Sequence, residues 1–148
     1  ICWHFIGHLQ KNKAKKVINK IDYLHSLDSL ELAKIIDKER TKPLDVFIEV
    51  SINLEENKNG VPYFEVESFI NEVKHYRNIH LVGLMMMAIK SSDDTFNQFE
   101  KLRILRDELE IKCDVKLPYL SMGMSDDYHE AIKASATHIR LGRILSEF

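Results

Sequence analysis

Val46-Phe47-Ile48-Glu49-Val50-Ser51-Ile52-Asn53 is an almost unbroken apolar run rich in β-branched residues. After the helical stretch Glu65 to Tyr76 a second such run follows, Leu81-Val82-Gly83-Leu84-Met85-Met86. Two apolar, β-rich runs separated by a stretch of helical period read as parallel strands joined by a crossover helix. The same alternation extends in both directions. Strands are expected at Trp3 to Gly7 and Tyr23 to His25 before this unit, and at Tyr119 to Met122 and His138 to Gly142 after it. Helices are expected at Leu9 to Ile21, Ser29 to Arg40, Thr95 to Glu110 and Asp127 to Ser135. In the Thr95 to Glu110 helix, Phe96, Phe99, Leu102, Ile104, Leu105 and Leu109 form an apolar stripe, with Lys101, Arg103, Asp107 and Glu108 facing water.

The chain of 148 residues is long enough for one domain. Its 21 basic and 23 acidic residues are spread evenly, which gives no positive field for nucleic acid. No apolar run approaches the roughly 20 residues that cross a bilayer, and the first residues lack the basic start of a signal peptide, so a cytoplasmic protein is expected. Cys2 and Cys113 are too few for a disulfide framework or a zinc site. A chain that opens on Ile1 inside a strand-like segment and stops at Phe148 without a closing helix reads as a piece of a longer one.

Six βα steps fit either an open doubly wound sheet or a closed eight-stranded barrel lacking two steps. The doubly wound alternative usually carries a G-x-G-x-x-G loop after its first strand, and none is present here. A complete barrel takes about 250 residues, so six of its eight strands are what this length accommodates.

Barrels build their sites where strands end. Gly7, Gly83, Gly123 and Gly142 lie in or just after expected strands, and His4, His8, Asn12, Ser51, Asn53, Ser121, Ser125, Asp126, Arg140 and Arg143 gather there. Phosphate sites commonly form from the last two βα loops. Here Ser121-Met122-Gly123-Met124-Ser125 offers hydroxyls and backbone N–H groups, and His138-Ile139-Arg140-Leu141-Gly142-Arg143 sets a cation beside a glycine. Asp127 and Glu130 have the spacing of a capping box for the helix that follows. Arg140 fits a surface ion pair as well as a ligand site. Met85, Met86 and Met87 suit plain core packing. Glu49, Ser51 and Asn53 share one strand face and can form a polar layer inside the barrel. His4 and His8 have the i, i+4 spacing of a helical metal pair, but His4 sits on a strand, so no metal site is expected.

Trp3-His4-Phe5-Ile6-Gly7-His8-Leu9-Gln10-Lys11-Asn12-Lys13 resembles the W-H-x-I-G-x-L-Q-x-N-K motif of the pyridoxal phosphate homeostasis protein family. The resemblance continues through Asn57-Lys58-Asn59-Gly60, Gly83-Leu84-Met85, Ser121 to Asp127 and Ile139-Arg140-Leu141-Gly142, in family order and spacing. It implies an α/β fold, an incomplete (β/α)8 TIM barrel of the alanine racemase N-terminal type, covering about strands 3 to 8. The first two βα units, and with them the lysine that holds pyridoxal 5'-phosphate as a Schiff base, would lie upstream of Ile1. It also implies that Ser121 binds the phosphate, that Gly142 and Arg143 give it backbone N–H groups, and that Arg140 faces the pyridine nitrogen. His4 and Asn53 would line the ring pocket, with Met85 near it. A guanidinium at that nitrogen keeps it unprotonated and weakens the ring as an electron sink. Position 143 departs from the family's small hydroxyl residue, which removes a side-chain phosphate contact that a guanidinium can replace.

The function so implied is a cofactor carrier in pyridoxal phosphate homeostasis, not an enzyme, either monomer or weak dimer, with apo forms of pyridoxal phosphate enzymes as partners and neither nucleic acid nor membrane among them. Two alternatives stand beside it. One is the barrel of a racemase or decarboxylase, which needs a second domain to supply an opposing acid or base. The other is a barrel for a different phosphorylated ligand, or for none.

Overall fold

The computed structural model describes residues 1–52, 59–89 and 94–142. Within them β1 (His4–Phe5), β2 (Tyr23–Leu27), β3 (Leu44–Ser51), β5 (Ile79–Met85) and β6 (Tyr119–Ser121) pair in that order, every pair parallel. A short β4 (Val61–Pro62) pairs beside the end of β3. The crossovers run through α1 (Lys11–Val17), α2 (Leu30–Glu39), α3 (Val66–Val73) and α4 (Thr95–Lys112), and α5 (Tyr128–Lys133) follows β6. Apart from the β4 side branch, each strand lies beside the next one in the chain and the order never reverses. That is the winding of a barrel and not of a doubly wound sheet.

The sheet is curled into a parallel half-barrel. After α5, His138 bridges to Ser121 as a further parallel step. A flat sheet would set His138 about 24 Å from β1, five steps of about 4.8 Å each. The His4 and His138 ring centroids are 5.9 Å apart. Among the described residues no backbone pairing joins β1 to the His138 segment.

Curling gives the sheet two dry faces. Outside, Leu24, Val46, Ile48, Leu84 and Leu120 pack with Ile36, Ile70, Phe99 and Leu102 from the helices. Inside, Phe47, Val82 and Met85 form a separate cluster flanked by Tyr23 and Tyr119. In β3 alternate residues therefore serve different cores, Val46, Ile48 and Val50 the outer one and Phe47 the inner one.

The structure corrects several boundaries. The strand expected over His138 to Gly142 is a single bridge at His138, because the backbone then leaves the ladder and the Arg140 N–H donates to the Gly123 carbonyl (2.9 Å). The expected first and last helices shorten to Lys11–Val17 and Tyr128–Lys133. Asp127 does not cap the last helix with its side chain; Oδ1 turns back to accept from the Met124 N–H (2.8 Å). In α4, Phe99, Leu102 and Leu109 are buried, but Phe96 and Ile104 are exposed, since the stripe is wider than the sheet it covers. Met87 is likewise exposed, having passed the end of β5, whereas Met85 and Met86 are buried. Of the segment Asn57-Lys58-Asn59-Gly60, Asn57 and Lys58 lie outside the described residues, and Gly60 takes φ +105°.

Two positions hold this geometry. At Gly83 a Cβ would stand 2.0 Å from the Tyr119 carbonyl oxygen and 3.1 Å from the Phe47 ring, so β5 approaches β6 and the inner cluster only without a side chain. Arg40 is buried at the end of α2, where Nη1 donates to the carbonyls of Ile18 (2.6 Å) and Ile21 (2.8 Å) and Nε to that of Lys42 (2.9 Å). It thereby satisfies the chain between α1 and β2, whose carbonyls would otherwise be buried unpaired. Gly83→Ala is expected to destabilise the protein by about 3 kcal/mol through overpacking. Arg40→Ala should cost a similar amount, about 3 kcal/mol, by leaving those carbonyls without donors. Urea unfolding followed by circular dichroism measures both, and a loss below about 0.5 kcal/mol at either position would contradict its assigned role.

Candidate functional site

The inner face carries rings from every side of the curl. His4 on β1 stacks on Tyr23 of β2 with centroids 4.3 Å apart and planes within 3°. His25, two residues along β2, stacks on Phe47 of β3 at 4.1 Å. His138 closes the group edge-on, 5.2 Å from Phe47, 4.9 Å from Tyr119 and 5.8 Å from His25. Period-two alternation puts Tyr23 and His25 on the same face of β2, and the curl brings His138 to them.

These rings support Ser121. His25 Nδ1 lies 2.7 Å from Ser121 Oγ, and its Nε2 lies 2.9 Å from His4 Nδ1. The side chains of His4, His25 and Ser121 thus form one line from β1 through β2 to the end of β6. Burial, then the neighbouring His4, His138 and Arg140, push His25 down to about 3. Its ring is neutral at physiological pH. Burial and His4 also lower His138. Although three imidazoles meet here, the described residues contain no His, Cys, Asp and Glu cluster arranged to hold a metal ion.

Arg140 is not a surface residue. It is 8% exposed, and Nη2 donates to the Met86 carbonyl just past β5 (2.7 Å). Its Nε has no hydrogen-bond partner among the described residues. Burial lowers its proton affinity, while the charges of Glu49 and Asp127 raise it. Glu49 is buried on the inner side of β3, and burial and Asp28 raise its pKa against the opposing pull of Arg140 and His8. A buried guanidinium costs several kcal/mol unless its donors are used, so Nε is a buried donor whose desolvation no described residue offsets.

The loop after β6 and the segment after His138 meet. The Arg140 N–H bonds the Gly123 carbonyl, the Met122 N–H bonds the His138 carbonyl (3.0 Å), and the Gly142 N–H points to Ser125 Oγ (3.5 Å). Gly123 takes φ +103°, and a Cβ there would lie 2.7 Å from that of Ala131, so α5 packs directly under this turn. Gly142 has open space where a Cβ would be.

Of the expected site residues, Ser121 ends β6, Met85 ends β5, Arg140 is buried, His4 opens β1 with its ring near those of His25 and His138, and Gly142 is an exposed turn residue. Met85 is fully buried in the inner cluster, below Arg140's carbonyl partner Met86. Asn53 and Arg143 lie outside the described residues. The sequence reading passed over His25 and His138. Both could have been found: His25 shares a strand face with Tyr23, and His138 shares the i, i+2 series with Arg140 and Gly142. The group's residues fit pyridoxal phosphate in two respects. A buried guanidinium with an unused donor suits a ring nitrogen, and a hydroxyl at the end of β6, with a glycine in the adjoining loop that leaves space where a side chain would stand, suits a phosphate. None of the described strands contains a lysine. Among the described residues no helix is long and apolar enough to cross a membrane.

Comparison with known proteins agrees with this geometry. Residues 2–146 match the family described as alanine racemase, N-terminal domain. The pyridoxal phosphate homeostasis protein of Aquifex aeolicus is 41% identical, covering 97% of this chain and 65% of its own length. That of Synechocystis is 38% identical, with 98% of this chain and 69% of the relative covered. The chain thus spans about two thirds of the length of these relatives. The structure of PipY from Synechococcus elongatus with pyridoxal phosphate bound superposes with a TM-score of 0.90 at 29% identity, over 98% of this chain and 70% of that one. Alanine racemase from Corynebacterium glutamicum, 16% identical with a TM-score of 0.74 over 95% of this chain and 40% of its own, shares the fold. The chain therefore belongs to the alanine racemase N-terminal domain family, and within it to the pyridoxal phosphate homeostasis proteins.

Proposed function

We propose that this chain supplies about strands 3 to 8 of a (β/α)8 barrel, as one partial domain over residues 1–148, and that the full-length protein binds pyridoxal 5'-phosphate in order to hold and release it. The observation that carries the reading is Arg140: a guanidinium buried at the mouth of the curl, with one N–H unused, next to two βα loops tied together by backbone hydrogen bonds. The bound cofactor supplies an electrophilic carbonyl and a conjugated ring. The residues of this chain bind and orient it. Ser121 and the backbone at Gly142 and Arg143 hold the phosphate, and Arg140 donates to the pyridine nitrogen. His4, Met85 and Asn53 border the ring.

The same residues argue for storage over catalysis. A nitrogen that accepts from a permanently charged guanidinium stays unprotonated, so negative charge on the substrate carbon is poorly delocalised. The homeostasis proteins of Aquifex and Synechocystis support this reading by their names, and PipY supports it by its bound cofactor. Apo enzymes that use pyridoxal phosphate are the recipients the proposal requires, and the setting is cytoplasmic. The lysine that anchors the cofactor is expected outside the strands described above.

The test is titration of the full-length protein with pyridoxal phosphate, followed by borohydride reduction and mass spectrometry. A visible absorbance band and a covalent adduct are expected, without racemisation of alanine. Ser121→Ala should weaken binding about tenfold, the value of one charge-assisted hydrogen bond. Failure of the wild-type protein to bind would refute the proposal, and rapid racemisation would favour the racemase alternative.

A further inference from the structure

We propose that His25 is a positioning residue: it fixes the direction of the Ser121 hydroxyl so that Ser121 donates its proton to the phosphate of the bound ligand. The inference rests on the phosphate-binding reading of Ser121 given above.

A neutral imidazole has one N–H, so the line His4, His25, Ser121 has two possible senses. In one, Ser121 donates to His25 Nδ1, and His25 donates from Nε2 to His4 Nδ1. The hydroxyl proton is then consumed, and Ser121 turns lone pairs toward any anion in the loop. In the other, His4 donates from Nδ1 to His25 Nε2, and His25 donates from Nδ1 to Ser121 Oγ. The hydroxyl proton is then free for the phosphate, and the hydroxyl oxygen, already accepting from His25, is a better donor. Only the second sense is compatible with an anion at Ser121.

The surroundings hold His25 in one orientation. Its ring stacks on Phe47 at 4.1 Å, both ring nitrogens are engaged at 2.7 and 2.9 Å, and the residue is 2% exposed. Burial keeps it in the one-proton form, since its pKa is pushed down to about 3. His4 in turn is set by its parallel stack on Tyr23. The direction of one hydroxyl at the end of β6 is therefore determined two strands away, on β1 and β2, across the inside of the curl. The device works on the phosphate end of the ligand alone, which separates it from a general packing role.

Two measurements decide the proposal. In full-length protein carrying pyridoxal phosphate, long-range proton–nitrogen NMR of the imidazoles should find the His25 proton on Nδ1; a proton on Nε2 overturns the inference. Affinities for pyridoxal phosphate and for unphosphorylated pyridoxal should then separate. His25→Leu is expected to weaken pyridoxal phosphate about tenfold, as the loss of one charge-assisted hydrogen bond would, and to change pyridoxal less than about twofold. His25→Asn, whose amide N–H reaches the place of Nδ1, should recover most of the loss. The Leu variant combined with Ser121→Ala should bind no more weakly than Ser121→Ala alone. Equal losses for both ligands, or losses that add in the double variant, would overturn the role of His25 while leaving the binding function standing. Wild-type protein that binds no pyridoxal phosphate would remove the binding function itself. The NMR measurement needs no variant, so a variant that fails to fold does not rescue the proposal.

Discussion

A parallel sheet has apolar side chains on both faces, and the helices described here cover only one of them. The other face is buried by curling the sheet on itself, and the site is a product of that curl. Phe47, Val82 and Met85 can form an inner core only because β5 passes close to β6 at Gly83, where no side chain intervenes. The same curvature swings His138 toward β1, to 5.9 Å from the His4 ring, and so collects residues from opposite ends of the strand order. Hydrophobic burial, which has no directional preference, thus places polar groups whose own interactions are strongly directional.

Those polar groups are arranged at the rim in a graded way. The imidazoles lie on the inner face and are uncharged where burial is deepest, as at His25. Arg140 sits at the strand ends, where Glu49 and the Met86 carbonyl offset part of its desolvation. Its unused Nε is a buried donor left open, a cost that a bound acceptor removes. The backbone N–H groups of Met122 and Arg140 tie the two loops together without adding charge. A site built in this way favours a ligand with an aromatic acceptor at one end and a compact anion at the other.

Membership of the pyridoxal phosphate homeostasis proteins gives these features a common sense. Likeness to the racemase fold at 16% identity concerns the scaffold alone, and chemistry on such a scaffold depends on which groups face the ligand. Under the proposed function the polar groups that face inward hold and orient. Under the same proposal the permanent charge of Arg140 would work against carbanion chemistry, and His25 is too weak a base, at about 3, to carry a proton at neutral pH.

Much of the scaffold was legible in the sequence because strand and helix periodicity are local. Val46 to Asn53 and Leu81 to Met86 announced a parallel unit, and the motif at Trp3 to Lys13 carried the family resemblance. The meeting of the loops after β6 and after His138 was legible as well, because a barrel fixes the end of the strand at which loops gather. Tertiary structure alone decided the remainder. Whether His138 to Gly142 stayed in the ladder depended on a competing hydrogen bond from Arg140 to Gly123, residues 17 apart. That Asp127 would turn back to Met124, and that Met87 would stand clear of the core, depended on how the loops met the strand ends. Above all, the contact between His25 and Ser121 joins residues 96 positions apart. Local pattern gives each of them a face, but only the closing of the sheet determines which distant side chain that face will meet.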